Sequence, residues 1–238
     1  MSKLLKISRA IAFSWLILAN LTSLASKQKD SSEINYYEEE GKILFRLRVY
    51  GVKTSSKQKG LPLSTSSAPI PIGTLLENGF GADGSASIFF TDNIAAELSV
   101  GVNVLKVKSS TISNIANNYN GGTIYGKRRD LYMMPVAVTG QYHVAPFGAI
   151  RPYLGVGYHG AYNFTRLKEF KISNGHGGVF QLGTDFIAND DTTVNFDIRQ
   201  FLLKTKISYK SNVTGSKNVS SKMKINPLII SVGVGFAL

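Results

Sequence analysis

The residues best suited to chemistry are the three histidines, and their spacing argues against it. His143, His159 and His176 lie in separate segments, and no two have the helical spacing of a zinc site. There is no Gly-x-Ser-x-Gly run for a serine nucleophile. With no Cys in 238 residues, thiolate metal sites, cysteine nucleophiles and disulfides are excluded. Asp190-Asp191 resembles a carboxylate pair, but it stands between two apolar segments and is more simply turn chemistry. A lone His159 is more often a packed polar residue than a general base. The reading is therefore of a non-enzyme with no metal and no cofactor. More telling are charged residues placed at alternate positions within otherwise apolar segments: Arg46, Arg48, Glu97, Arg151, Asp185, Asp197 and Arg199. Four cations and three carboxylates brought together in a narrow interior would form an ion-paired plug.

The elements that must hold these side chains are read from period-two alternation. Ile43, Phe45, Leu47 and Val49 interleave with Leu44, Arg46, Arg48 and Tyr50. Ile94 through Val104 alternate with Ala95, Glu97, Ser99, Gly101 and Asn103. Similar patterns run through 132–142, 151–162, 194–199 and 228–236, with weaker ones near 81–90 and 177–188. Thr91-Asp92-Asn93, His143 to Ala149 and Asn189-Asp190-Asp191 read as short turns. Lys53 to Gly79, Lys106 to Asp130, Asn163 to His176 and Thr205 to Ser221 read as longer polar loops. Strands joined alternately by tight turns and long loops describe an up-and-down antiparallel sheet.

The N-terminus supplies the setting. Lys3, Lys6 and Arg9 precede an apolar stretch from Ala10 to Leu21, and Ser23 and Ala25 put small residues before a cleavage point. That stretch falls short of the about 20 residues that a membrane helix needs. Residues 1–25 are read as a cleavable signal peptide, 26–41 as a flexible periplasmic lead-in, and 42–238 as one domain. An exported chain has little use for a nucleic-acid partner, despite a net charge of +12. Export, eight strands and one apolar face on each favour an all-β fold, an eight-stranded antiparallel up-and-down transmembrane β-barrel in the outer membrane. A soluble lipocalin-like barrel or secreted sandwich is the alternative. The Gly, Ser and Asn content of the polar face and the Tyr and Phe near strand ends fit a narrow lumen and an interfacial aromatic girdle better.

Several strings resemble the outer membrane protein W (OmpW) family. Phe90-Thr91-Asp92-Asn93-Ile94 with Glu97-Leu98 looks like its first periplasmic turn. Met134-Pro135 through Gln141-Tyr142, then Arg151-Pro152-Tyr153-Leu154-Gly155-Val156-Gly157, is similar to its central hairpin. Ile225-Asn226-Pro227 with Val232-Gly233-Val234-Gly235-Phe236 is similar to its last strand. The resemblance covers about 42–238. It implies an eight-stranded outer-membrane barrel with a narrow hydrophobic channel for small apolar molecules, or a role in stress adaptation. It also implies insertion by the barrel-assembly machinery, which reads a terminal aromatic residue where this chain has Phe236-Ala237-Leu238.

With both termini periplasmic, the charged set points into the lower lumen. Leu105, Met133, Phe201, Met223 and Ile225 share inward parity nearer the extracellular mouth, where they would line a pocket for small hydrophobic solutes. Pro135 and Pro227 are read inside strands, where a missing N–H weakens the ladder. Each marks either a lateral opening into the bilayer or a bulge near a strand end. Basic residues gather in the loops: Lys53, Lys57 and Lys59; Lys127, Arg128 and Arg129; Arg166, Lys168 and Lys171; and the lysines from Lys204 through Lys224. They would face lipopolysaccharide phosphates or a host surface, or simply keep the loops solvated. Asn212-Val213-Thr214 and Asn218-Val219-Ser220 match glycosylation acceptors, a pattern polar loops produce by chance. Two functions follow from different classes: passive uptake of small hydrophobic molecules, or a structural or adhesive surface barrel acting through basic loops.

Overall fold

Alternating side chains force the backbone to seek hydrogen bonds sideways, and here every long strand finds two neighbours. The computed structural model describes residues 41–58, 75–118, 129–144, 148–164, 170–211 and 219–237. The signal segment, residues 26–40 of the lead-in, Lys59, Lys127, Arg128, Arg166, Lys168 and Asn212 through Asn218 lie outside the described residues.

Eight strands form the wall: β1 (Ile43–Lys53), β3 (Leu76–Phe89), β4 (Ile94–Val107), β5 (Arg129–His143), β6 (Ile150–Asn163), β8 (Gly175–Ile187), β9 (Thr192–Phe201) and β12 (Leu228–Ala237). Each is antiparallel to the next, and β12 pairs β1 from Leu44↔Ala237 to Lys53↔Leu228. Closure leaves the wall without a free edge. Short turns gather at one end, the turn end, and long connections at the other, the loop end. Four shorter strands continue the wall at the loop end: β2 (Ser56–Gln58), β7 (Phe170–Ile172), β10 (Leu203–Tyr209) and β11 (Val219–Ile225). There β2 pairs β11, β11 pairs β10, and β10 pairs β7.

Four expectations change here. Lys53 to Gly79 and Asn163 to His176, read as loops, contain β2 with Lys57 and β7 with Lys171. Thr205 to Ser221 is not one loop, because β10 and β11 carry the sheet through much of it. Their inward residues, Leu203, Ile207, Tyr209, Met223 and Ile225, are buried, whereas Lys204, Lys206, Lys222 and Lys224 point outward. Once the outward face leaves the apolar belt its residues become lysines, and the period-two pattern reads as polar composition. The segment after β4 contains a helix, α1 (Ser109–Asn118), whose Ile112 is fully buried against the barrel's apolar interior. A helix with so few apolar residues leaves little periodicity to detect.

The outward face forms a belt of exposed apolar residues, among them Leu47 at 62%, Phe80 at 62%, Leu182 at 61% and Tyr158 at 58% exposure. Exposure of this kind on every wall strand is an inside-out arrangement that only lipid stabilises.

Candidate functional site

The interior has two storeys. In the lower one, β1 delivers two arginines two residues apart, which alternation aims into the barrel together. Arg46 clamps Asp185 on β8 with Nε and Nη2, at 3.1 and 2.6 Å, and its Nη1 reaches Glu97 on β4 at 3.1 Å. Arg48 donates from Nε to Asp83 on β3 at 2.7 Å, and from Nη1 and Nη2 to Glu97 at 3.3 and 3.4 Å. Arg199 on β9 bridges Asp83 and Asp197, with its Nε 2.7 Å from Asp197 Oδ1. Neutral donors complete the carboxylate shells. Ser85 Oγ donates to Glu97 at 3.0 Å, Asn195 Nδ2 to Asp185 at 2.8 Å, and Tyr153 Oη and Gln181 Nε2 each to Asp197 at 2.8 Å. Arg151 is buried nearer the turn end, its guanidinium carbon 4.6 Å from the Phe89 ring centre.

All seven charged residues singled out above are therefore buried in the barrel. Sequence reasoning missed the eighth, Asp83, which lies directly opposite Arg48 in the β1–β3 register. Its strand is weakly patterned because Gly84 and Ala86 occupy outward positions. It also missed Tyr153, whose ring crosses the barrel toward Asp197. Gly183 permits that path, since a methyl group there would overlap the Tyr153 ring.

The upper storey is apolar. Leu105, Met133, Phe201, Met223 and Ile225, each at most 5% exposed, belong to one buried cluster with Leu131, Val179 and Ile207. Leu75, Leu76 and Ile112 pack on it from the loop end. His159 is buried at this level, with its ring edge-on to Phe201 at 4.7 Å between centres. His143 lies at the turn end, stacked 4.9 Å from Tyr153, and His176 is exposed beside Tyr158. Among the described residues no three His, Asp or Glu side chains converge to hold a metal.

The two prolines part company. Pro135 lies within β5, and the β4–β5 ladder runs from Ile94↔Tyr142 to Val100↔Val136, then resumes only at Asn103↔Met133. The pairing of Gly101 and Val102 with Pro135 and Met134 is missing, although the register on either side is the same. Pro227 is not inside a strand: with Asn226 it forms the break between β11 and β12. Its carbonyl accepts from Phe201 N at 3.0 Å and Gln200 Nε2 at 3.3 Å, and Asn226 N donates to Ser55 O at 2.8 Å. Hydrogen bonds therefore bridge that interruption.

A family model for the OmpW family matches residues 39–238, which include every described residue. The chain belongs to the OmpW family. A Rickettsia conorii relative named as an outer membrane protein is 49% identical over 208 residues, covering 87% of this chain and 85% of its own. A Pseudomonas aeruginosa relative named as the dibenzothiophene metabolism operon protein PahQ is 28% identical over 109 residues, or 42% of this chain and 48% of its own. The crystal structure of OprG from Pseudomonas aeruginosa superposes with a TM-score of 0.68 at 18% identity, covering 85% of this chain and 98% of that one. That likeness is one of fold. Family and fold together place this OmpW-family chain in the outer membrane as a closed eight-stranded antiparallel barrel.

Proposed function

We propose that the barrel is a passive route for small hydrophobic molecules, entered at the loop end and left sideways through the β4–β5 seam. One observation carries this reading: an apolar upper storey stands on an ion-paired floor, with a gap in the wall ladder between them and the lipid. Eight-stranded lumens are just wide enough for side chains to fill. A solute that dissolves among Leu105, Met133, Phe201, Met223 and Ile225 meets, on going down, a network of arginines and carboxylates that offers it no favourable contact. Where Pro135 has no N–H, the wall lacks the ladder bonds that would resist separation of β4 from β5. The name of the PahQ relative favours apolar aromatic compounds as the solute class. Pro227 carries no part of the opening, because hydrogen bonds span its break.

Uptake of a small aromatic hydrocarbon into vesicles holding the purified barrel tests the reading. Phe201→Asp and Met223→Asp each put a carboxylate into the apolar storey and should lower the initial rate several-fold. Heat-dependent mobility in SDS reports that the variant is folded. Unchanged uptake by folded variants, with surface binding lost after neutralising the loop lysines, would favour the adhesive barrel instead.

A further inference from the structure

We propose that the outer wall formed by β10 and β11 at the rim and by β12, β1, β3 and β4 below it is a binding site for the lipid A portion of lipopolysaccharide. In this site a lysine quartet holds the phosphates and a groove beneath it takes an acyl chain. On β10 and β11, Lys204 is directly opposite Lys224, and Lys206 is directly opposite Lys222. All four side chains are exposed on the outward face. Like charges placed opposite each other across a ladder are destabilising. The register is fixed nonetheless, because a one-residue slip would turn buried Leu203, Ile207, Met223 and Ile225 outward. Among the described residues no carboxylate pairs with any of the four lysines. The buried residues of β10 and β11 thus fix two rows of cations side by side, an arrangement that an external anion would relieve.

Their depth identifies the kind of anion. Leu202, at 42% exposure, is two residues below Lys204, and Phe180 and Tyr158 flank it in the apolar belt at 53% and 58%. The lysines therefore begin where the belt ends, at the level of lipid headgroups. Below them, reaching from β12 across β1 and β3 to β4, is an open groove of about 740 Å³ on the lipid-facing wall, lined by Val49, Gly51, Phe80, Val102, Ile230 and Val232. Gly51 forms its floor: it lacks a side chain, and a Cβ added there would meet nothing within 4 Å. From Ile230 in the groove to Lys224 above it the chain climbs six positions, about 20 Å at the usual strand rise. Groove and quartet together fit an amphiphile with a phosphorylated head and an extended acyl chain. Two rows of paired cations match a head bearing more than one phosphate, which is lipid A chemistry, better than the single phosphodiester of a glycerophospholipid. The long connections at the loop end place this rim on the outer leaflet.

Binding of bisphosphorylated lipid A, its dephosphorylated form and phosphatidylglycerol to the purified barrel in zwitterionic nanodiscs separates the possibilities. Preference for bisphosphorylated lipid A is expected. Lys204→Gln with Lys224→Gln should weaken that binding about tenfold or more and reduce its salt dependence. Gly51→Leu should weaken it by filling the groove, without disturbing heat-dependent mobility. Equal binding of phosphatidylglycerol, or full binding by the lysine variant, would overturn the proposal. Full binding by the Gly51→Leu protein would overturn its acyl-chain half. Solute uptake should be unchanged in the lysine variant, so failure here is distinguishable from failure of the uptake reading.

Discussion

Glu97 is the hinge of the lower storey, since among the described residues it alone receives ion pairs from both Arg46 and Arg48. Burying such a cluster is costly, and its members are stable only because each charge has a partner and the remaining lone pairs have donors. Glu97→Gln keeps the shape and removes the charge. Two arginines of β1 would then be left short of compensation in a water-poor interior. A loss of about 3–5 kcal/mol is expected for breaking a buried pair of this kind. Urea unfolding of the detergent-solubilised barrel, followed by far-ultraviolet circular dichroism, measures it. At this scale much was legible. Parity on strongly alternating strands aimed Arg46, Arg48, Glu97 and Arg199 inward from sequence alone. Asp83 escaped because parity needs an apolar opposite face to declare itself, and β3 offers Gly84 and Ala86 there. Partner choice escaped as well: that Arg46 takes Asp185 across 139 residues depends on how the strands are staggered around the closed wall.

At the scale of elements, sequence periodicity located the wall strands best where apolar residues face lipid at every second position, as on β1 and β4, and more weakly on β3 and β8, whose outward face includes Gly84, Gly178 and Thr184. It failed where lipid no longer faces the strand. Strands β10 and β11 keep their alternation beyond the belt, but lysines replace the apolar residues on the outside. Helix α1 was missed for a related reason: only a few residues such as Ile112 need be apolar to cap the interior. The same scale holds the β4–β5 seam. Pro135→Ala restores the N–H that the ladder lacks, so β4 and β5 should zip continuously past Gly101 and Val102. Hydrogen exchange by mass spectrometry on peptides spanning 98–107 and 129–139 should then slow relative to the parent protein. Exchange as fast as before would mean that the gap has another cause. An accompanying fall in uptake rate would tie the seam to transport.

The whole molecule is a closed cylinder whose inside is polar below, apolar above, and whose outside is apolar in a belt with cations at one rim. The net charge of +12 is distributed accordingly: Arg46, Arg48 and Arg199 are neutralised inside, while lysines on the outward face stand at headgroup depth. A straight aqueous path and a sideways apolar path make opposite demands on this cylinder, and they can be separated directly. Val102 and Met134 face lipid and are set opposite each other by the register on both sides of the gap. The natural chain has no cysteine, so Val102→Cys with Met134→Cys introduces one thiol pair within disulfide reach across the seam. The decisive measurement is uptake of a small aromatic hydrocarbon by vesicles containing this double variant, oxidised and then reduced. Lateral release predicts that uptake falls to the level of empty vesicles when the bond forms and returns on reduction. Uptake that continues unchanged with the disulfide fully formed would contradict it.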